Sequence, residues 1–320
     1  MPPALIVAGP TASGKSALAL ALARRLDGVV INADAMQLYR ELRILTARPS
    51  PEDTAAVPHR LYGVRSVADP ASAALWRDAA RAEMAAAHAA GQLAILCGGS
   101  GLYLLALTDG LAAIPPPSQA ARAEARALLA SLGPVGLHAR LAAVDPATAA
   151  RLRPTDSQRL ARAFEVWRST GIPLAQWQTR ARQADDAAPG WRFRAILLDP
   201  PRAALREAAA ARFAAMLAAG AVAEVAALLA LGLDPALPGL RAHGVPELTR
   251  HLRGALSLEA AAAQAIAATG RYMKRQSTWF RHHSLAPPEG THMIHARITD
   301  PEQFSESDWA GIIGFIRAPG

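Results

Sequence analysis

Gly9-Pro-Thr-Ala-Ser-Gly-Lys-Ser16 follows directly on the apolar run Ala4-Leu-Ile-Val-Ala8 and leads into a leucine- and alanine-rich stretch over residues 17–26. Strand, glycine-permitted turn and helix in that order predict a phosphate loop of the G-x-x-x-x-G-K-[ST] type. Backbone N–H groups converge on an anion there, and the helix points the positive end of its dipole at the same spot. Gly9, Pro10, Thr11, Ala12, Ser13 and Gly14 form the cradle, Lys15 caps the ligand's charge, and Ser16 is the candidate Mg2+ ligand.

The elements around this loop set the fold class. Further strand signals stand at residues 29–32, 93–96 and 194–198, with helical patterns at 17–26 and 72–90 between the first three. That alternation reads as α/β, a parallel-sheet core flanked by helices like that of P-loop NTPases. The break Ile114-Pro-Pro-Pro-Ser118 interrupts it, and an arginine-dotted helical stretch without a strand follows to about Pro189. The expected organisation is a core of residues 1–114 plus 194–320 and an inserted all-helical domain of residues 115–193. Long helices are expected at 202–219, 221–231 and 258–279, and a short one at 308–316.

Hydrophobic residues make up 52% of the 320-residue chain and aromatics only 5%. The difference is largely alanine, which favours helix while burying little area. The formal net charge of +8 and a sequence pI near 10.6 favour a polyanionic partner without proving one. Cys97 is the only cysteine, which excludes an intrachain disulfide and a multi-cysteine metal site. No stretch is expected to reach membrane-spanning length and no secretory leader is recognisable, so the expectation is a cytoplasmic monomer with no membrane partner.

Several segments carry groups suited to chemistry. Asn32-Ala-Asp34-Ala-Met-Gln37 follows the second strand, so Asp34 belongs at the carboxyl edge of the sheet. It is a candidate proton acceptor or magnesium assistant, or a mere helix cap, while Gln37 could read a polar edge of a bound molecule. The third strand ends in Cys97-Gly-Gly-Ser100-Gly rather than in a magnesium-holding aspartate. The glycines allow close approach to a ligand and Ser100 offers a hydroxyl, or the run is only a tight turn. Arg153-Pro-Thr-Asp156-Ser-Gln158-Arg159-Leu-Ala-Arg162 starts a helix whose arginines suit a nucleic-acid backbone or a solvated face. Arg271-Tyr-Met-Lys274-Arg275-Gln-Ser-Thr-Trp279-Phe-Arg281-His-His283 interleaves bases with aromatics. Trp279 and Phe280 are expected to be buried, and the histidine pair has no metal-ligand company.

These segments, with Leu45-Thr-Ala-Arg-Pro49, Gly98-Gly-Ser-Gly-Leu-Tyr103 and Lys274-Arg-Gln-Ser-Thr-Trp279, in this order and spacing, closely resemble those of bacterial tRNA dimethylallyltransferases. The resemblance implies transfer of a dimethylallyl group from dimethylallyl diphosphate to the exocyclic amine of the adenosine just after the anticodon, in tRNAs reading codons that begin with uridine. The phosphate loop then holds a prenyl diphosphate, and Mg2+ is the cofactor. It implies catalytic roles for Asp34 as general base, for Ser100 (where the family usually has threonine) and for Lys15. It implies tRNA contacts at Asp34, Ala35, Met36, Gln37, Ser100, Arg122, Gln158, Arg159, Leu160, Ala161 and Arg162.

Three departures stand against the pattern. Ala35 replaces a serine, Ala208 and Ala209 replace an arginine and an isoleucine, and Gly244-Val-Pro246 replaces Gly-Tyr followed by a base. The second leaves Arg206 or Arg212 to supply positive charge near the diphosphate, and Arg212 is the candidate ligand. A small-metabolite kinase and a nucleotide-gated RNA-binding protein without catalysis are the competing readings.

Overall fold

The computed structural model describes residues 1–112, 114–181 and 190–318, and the chain divides into two compact units, Met1–Thr108 with Ala188–Gly320, and Asp109–Ala187. The first unit begins with β1 (Pro3–Ala8), α1 (Lys15–Leu26), β2 (Gly28–Asn32), a 3-10 turn (Met36–Leu38), α2 (Pro51–Ala56), β3 (His59–Arg60), α3 (Ala73–Ala89), β4 (Leu93–Gly98) and α4 (Gly101–Thr108). The second unit consists of α5 (Gln119–Val144), α6 (Pro146–Ala149), α7 (Ser157–Thr170) and α8 (Leu174–Ala181). The chain then returns to the first unit with β5 (Arg192–Leu198), α9 (Arg202–Ala218), α10 (Ala221–Ala230), α11 (Val245–Leu252), α12 (Leu258–His282), β6 (Thr291–Ile294) and α13 (Glu306–Arg317).

The six strands form one sheet in the order β3-β2-β4-β1-β5-β6, with every pairing parallel. This is the expected α/β core. β1 lies between β4 and β5, with Leu5 opposite Ile95 on one side and Arg194 on the other. The glycine loop therefore leaves the sheet at its carboxyl edge, where connections depart in opposite directions and a crevice opens.

Burial on both faces explains the continuous apolar runs of β1, β2 and β4. Leu5 and Val7 pack with Leu18 and Leu22 of α1 and with Trp309 and Ile312 of α13. Ile6 and Ala8 turn the other way, toward Trp76 and Met84 of α3 and Leu104 and Leu107 of α4. The Trp76 indole stacks on Tyr103 at 4.9 Å and donates a 2.7 Å hydrogen bond to the Asn32 carbonyl. Phe213, Met216, Val225, Leu228, Val245, Leu248 and Ala261 of α9–α12 form a further core with Tyr39, Leu42 and Leu45.

Two strands escaped the sequence reading. β3 is two residues long, and β6 is an edge strand with a half-exposed pattern. Neither carries the buried run or strict alternation that marks a strand in sequence.

In the second unit, Leu137 and Leu141 of α5 pack with Leu160, Ala163 and Phe164 of α7. Asp145, 1% exposed, holds the turns together by accepting from the N–H groups of Thr148 (3.0 Å) and Leu174 (2.8 Å). Residues 182–189, the end of the expected helical stretch, lie outside the described residues. Gln119–Val144 has the length and apolarity of a membrane span, correcting the expectation that no stretch does, and α9 with α10, bent by 66°, passes the same test as a pair. The α5 backbone breaks at Gly133 (φ 65°, ψ −179°) before Pro134. Neither straight part, at ~1.5 Å per residue, reaches the ~30 Å of a bilayer core.

Removing the aromatic wedge between α3 and the sheet tests this core. Trp76→Ala should cost about 3–5 kcal/mol, measured by urea unfolding; a loss below ~1 kcal/mol would show that the wedge is dispensable.

Candidate active site

The glycine loop is shaped by contacts at three of its sides. Ala12 sits at φ 65° and Gly14 at φ 91°, left-handed values that turn the peptide planes of the loop. The Ser13 N–H donates to the Pro10 carbonyl at 3.2 Å, and Leu18 N–H to Gly14 at 3.1 Å starts α1. A side chain on Gly14 would meet the Ile298 carbonyl at 2.0 Å, and one on Gly9 the Leu198 carbonyl at 2.6 Å. Only glycine fits both places.

Gln276 of α12, 4% exposed, locks the loop from above. Its Oε1 accepts from Thr11 N–H and its Nε2 donates to the Gly99 carbonyl, each at 2.9 Å. From another side, Arg297 Nε donates to the Ala12 carbonyl at 3.0 Å and Ile298 N–H to the Ser13 carbonyl at 2.9 Å. Loop carbonyls are thus engaged by neighbouring segments.

A cavity of about 710 Å³ opens over the loop. Thr11, Ala12, Gly14, Lys15, Ser16, Asp34, Gln37, Cys97 and Arg212 line it, together with Arg297, Thr299 and the Ala204, Ala208 and Ala211 face of α9. Gly9, Pro10 and Ser13 belong to the loop without lining the cavity, and Ser13 is wholly buried. Arg212 and not Arg206 is the arginine of α9 that reaches it.

Burial pushes the Lys15 ammonium below its usual range; Cys97 and Asp34 oppose this and Arg212 adds to it. Burial likewise lowers Arg212, with Asp34 opposing and Arg297 adding. Cations that are desolvated and face one another are held ready for an anion. Burial drives the Cys97 thiol up to about 11, so it stands neutral beside Lys15.

Asp34 stands both before the 3-10 turn and on the cavity wall. Its Oδ1 accepts at 3.0 Å from the N–H of Met36, the first residue of that turn. Asn32 fixes the turn by accepting from Asp34 N–H (2.8 Å) and donating to the carbonyls of Asp34 and Leu61 (3.0 and 2.9 Å). Ser100 stands behind this turn and does not line the cavity. Its Oγ accepts from Ala35 N–H at 2.9 Å, its N–H donates to the Ala33 carbonyl at 3.1 Å, and its hydroxyl bonds the Tyr272 phenol. Gln37 spends its amide on the carbonyls of Thr46 and Ala47, at 2.9 and 3.0 Å.

Beside Ser100, His243 and Tyr272 pack with ring centroids 5.0 Å apart, and burial lowers the His243 pKa. Trp279 and Phe280 are part-buried against the core, and Trp279 stacks on His283 at 4.2 Å, in keeping with the expectation of burial. Gly244 (φ 97°) opens α11, and a side chain there would meet Leu45 at 2.8 Å. Val245 is buried, so the second residue of the variant Gly-Val-Pro sequence serves packing.

Within the second unit, Arg122, Gln158, Arg159 and Arg162 are exposed. Arg162 and Glu165 face one another, with Arg122 beside them, and burial raises the Glu165 pKa. Leu160 is a correction: fully buried in that unit's core, its side chain has no surface to offer a partner. Ala161 is half-buried. Among the described residues no group of three His, Cys, Asp or Glu could hold a metal. The cavity does hold the oxygen donors magnesium prefers, the Ser16 hydroxyl and the Asp34 carboxylate, which suit an ion held mainly by substrate phosphates.

The family profile described as IPP transferase matches residues 37–283. This chain belongs to that family. A tRNA dimethylallyltransferase from Acidiphilium cryptum is 62% identical over 98% of this chain and 94% of its own length. The tRNA isopentenylpyrophosphate transferase of Bacillus halodurans is 28% identical and superposes with a TM-score of 0.68, covering 98% of this chain and 96% of that one. A eukaryotic dimethylallyltransferase described as acting on tRNA reaches 0.78 over 99% of this chain and 80% of that one; at 22% identity it speaks for the fold. As an IPP transferase the chain is an enzyme that moves prenyl groups.

Sequence reasoning missed Arg297, Thr299 and the clamping role of Gln276. Gln276 stood inside a quoted motif, but nothing in its spacing tells which backbone it meets. Arg297 follows an edge strand that has no sequence signal.

Two outcomes check the site. Gln276→Leu strands the Thr11 N–H and the Gly99 carbonyl, so about 1–3 kcal/mol per group should be lost in urea unfolding; an unchanged midpoint would remove the clamp. Iodoacetamide should label Cys97 slowly at pH 8 in the folded protein and faster as the pH approaches 11. Rapid labelling at pH 8 would mean the thiol is not held neutral.

Proposed function

We infer that this chain is a tRNA dimethylallyltransferase. It transfers the dimethylallyl group of dimethylallyl diphosphate to the N6 amine of the adenosine 3′ to the anticodon, in tRNAs reading codons that begin with uridine. One observation carries the reading: in a chain 62% identical to a protein of that name, a single cavity has Lys15, Arg212 and the glycine loop on its wall together with Asp34. An anion seat and an acid in one cavity suit a reaction that expels a diphosphate and removes a proton.

In this reading the loop amides, Lys15 and Arg212 hold the diphosphate and stabilise the charge that develops as the C1–O bond breaks. Ser16 would hold Mg2+, which supplies further charge neutralisation at the phosphates when bound. The N6 nitrogen forms the new bond to C1 and its proton passes to the Asp34 carboxylate. A stacked adenine cannot reach an enclosed acid, so the base is extruded from the anticodon loop first. Ser100 serves by holding Ala35, and through it the Asp34 turn, in place. Arg122, Gln158, Arg159 and Arg162 contact the RNA backbone, and the enzyme works as a cytoplasmic monomer. Cys97 stands at the end of β4, where kinases of this fold class place a magnesium-holding acid, which weighs against the kinase alternative.

The deciding experiment incubates the protein with unmodified tRNA, magnesium and dimethylallyl diphosphate, then weighs the digested nucleosides. One prenyl mass on adenosine is expected; ATP turnover with unaltered RNA would sink the reading. Asp34→Asn should keep tRNA affinity while transfer falls about 10²- to 10⁴-fold, as for loss of a positioned base, and turnover at the unsubstituted rate would remove Asp34 from that role.

A further inference from the structure

The reading above uses Lys15 and Arg212 for the diphosphate, but the cavity wall carries a third cation. Arg297 lies three residues past β6, in a segment pinned to the glycine loop by the Ile298 N–H bond to Ser13 and its own Nε bond to Ala12. That single Nε bond orients the guanidinium without using its two Nη groups, and Arg297 lines the cavity together with Lys15, Ser16 and Arg212. Among the described residues no carboxylate pairs with it. It is close enough to the buried Arg212 for its charge to disfavour that guanidinium's. Like charges side by side are unfavourable until a polyanion joins them, and a guanidinium fork matches two phosphate oxygens at once.

We propose that Arg297 is a substrate-binding residue for the diphosphate, gripping its non-bridging oxygens beside Lys15 and Arg212 and neutralising charge as the diphosphate leaves. The proposal rests on the diphosphate reading of the cavity. It gives the segment after β6 a double task. The Ile298 N–H and the Arg297 Nε hold the loop carbonyls of Ser13 and Ala12, and the remaining Nη groups of the same arginine face the ligand that the loop amides receive. Thr299, two residues on, lines the same wall and extends the polar rim.

Calorimetry with inorganic pyrophosphate and with dimethylallyl diphosphate tests this on the full chain, with melting temperature and tRNA affinity as fold controls. Arg297→Gln should weaken both ligands about 10- to 100-fold, as for loss of a charge-assisted pair. Arg297→Lys should restore part of the loss, with tRNA affinity unchanged and, from the lost Nε bond to Ala12, the same small fall in melting temperature in both variants. Unaltered pyrophosphate affinity in Arg297→Gln overturns the proposal. A loss that lysine does not relieve and that comes with a lower melting temperature and weaker tRNA binding also overturns it, because the residue then serves only the loop's fold. If the unsubstituted protein binds neither ligand, the diphosphate reading itself fails.

Discussion

The glycine loop cannot hold its shape alone, because its left-handed residues and inward-turned amides gain nothing from the loop's own side chains. Its conformation is imposed by bonds to its backbone from distant parts of the chain, with the Gln276 side chain at one side and the Arg297 side chain and Ile298 N–H at the other. Carbonyls that would compete with an anion are engaged outside the cavity. Strain in such a loop persists only where the surroundings over-determine it, and here two separate segments do so.

The parallel sheet makes this arrangement available. β1 is buried between β4 and β5, so its carboxyl end is held by strands on both sides at the edge where ligands bind. β2 and β4 deliver Asp34 and the Gly98–Gly99 turn to the same edge, and bonds from the Ser100 N–H to Ala33 and from the Ala35 N–H to the Ser100 Oγ stitch them together. A side chain on Gly98 would meet the Ala33 carbonyl at 2.0 Å, so the stitch depends on glycine. The acid and the anion seat thus stand at the same edge of one sheet, on strands separated only by β4, which suits a reaction that needs both partners positioned before either bond changes.

The departures from the family pattern fall where packing can absorb them. Ala208 lines the cavity and Ala209 is buried against Leu205 and Met273, so α9 offers the substrate a mostly alanine wall, with Glu207 on it and Arg212 one turn further on. Val245 fills a core in which a larger polar residue would need its own partner. Neither change touches Lys15, Ser16 or Asp34.

Much of the fold was legible in the chain. The apolar runs of β1, β2, β4 and β5 and the helical periods between them are local patterns, and local periodicity reports which face a residue buries. The loop motif and Asp34 were legible too, because strand-loop-helix order places them at one sheet edge wherever the remaining chain goes. β3 and β6 were not, being short and half-exposed, nor was the confinement of Leu160 to a helical core. Only the tertiary structure decided that Ser100 stands behind the acid, that Gln276 clamps Thr11 and Gly99, and that Arg297 reaches the cavity. Those facts depend on contacts between residues up to 285 positions apart. Sequence spacing carries no information about which distant backbone a side chain will meet until the sheet has closed.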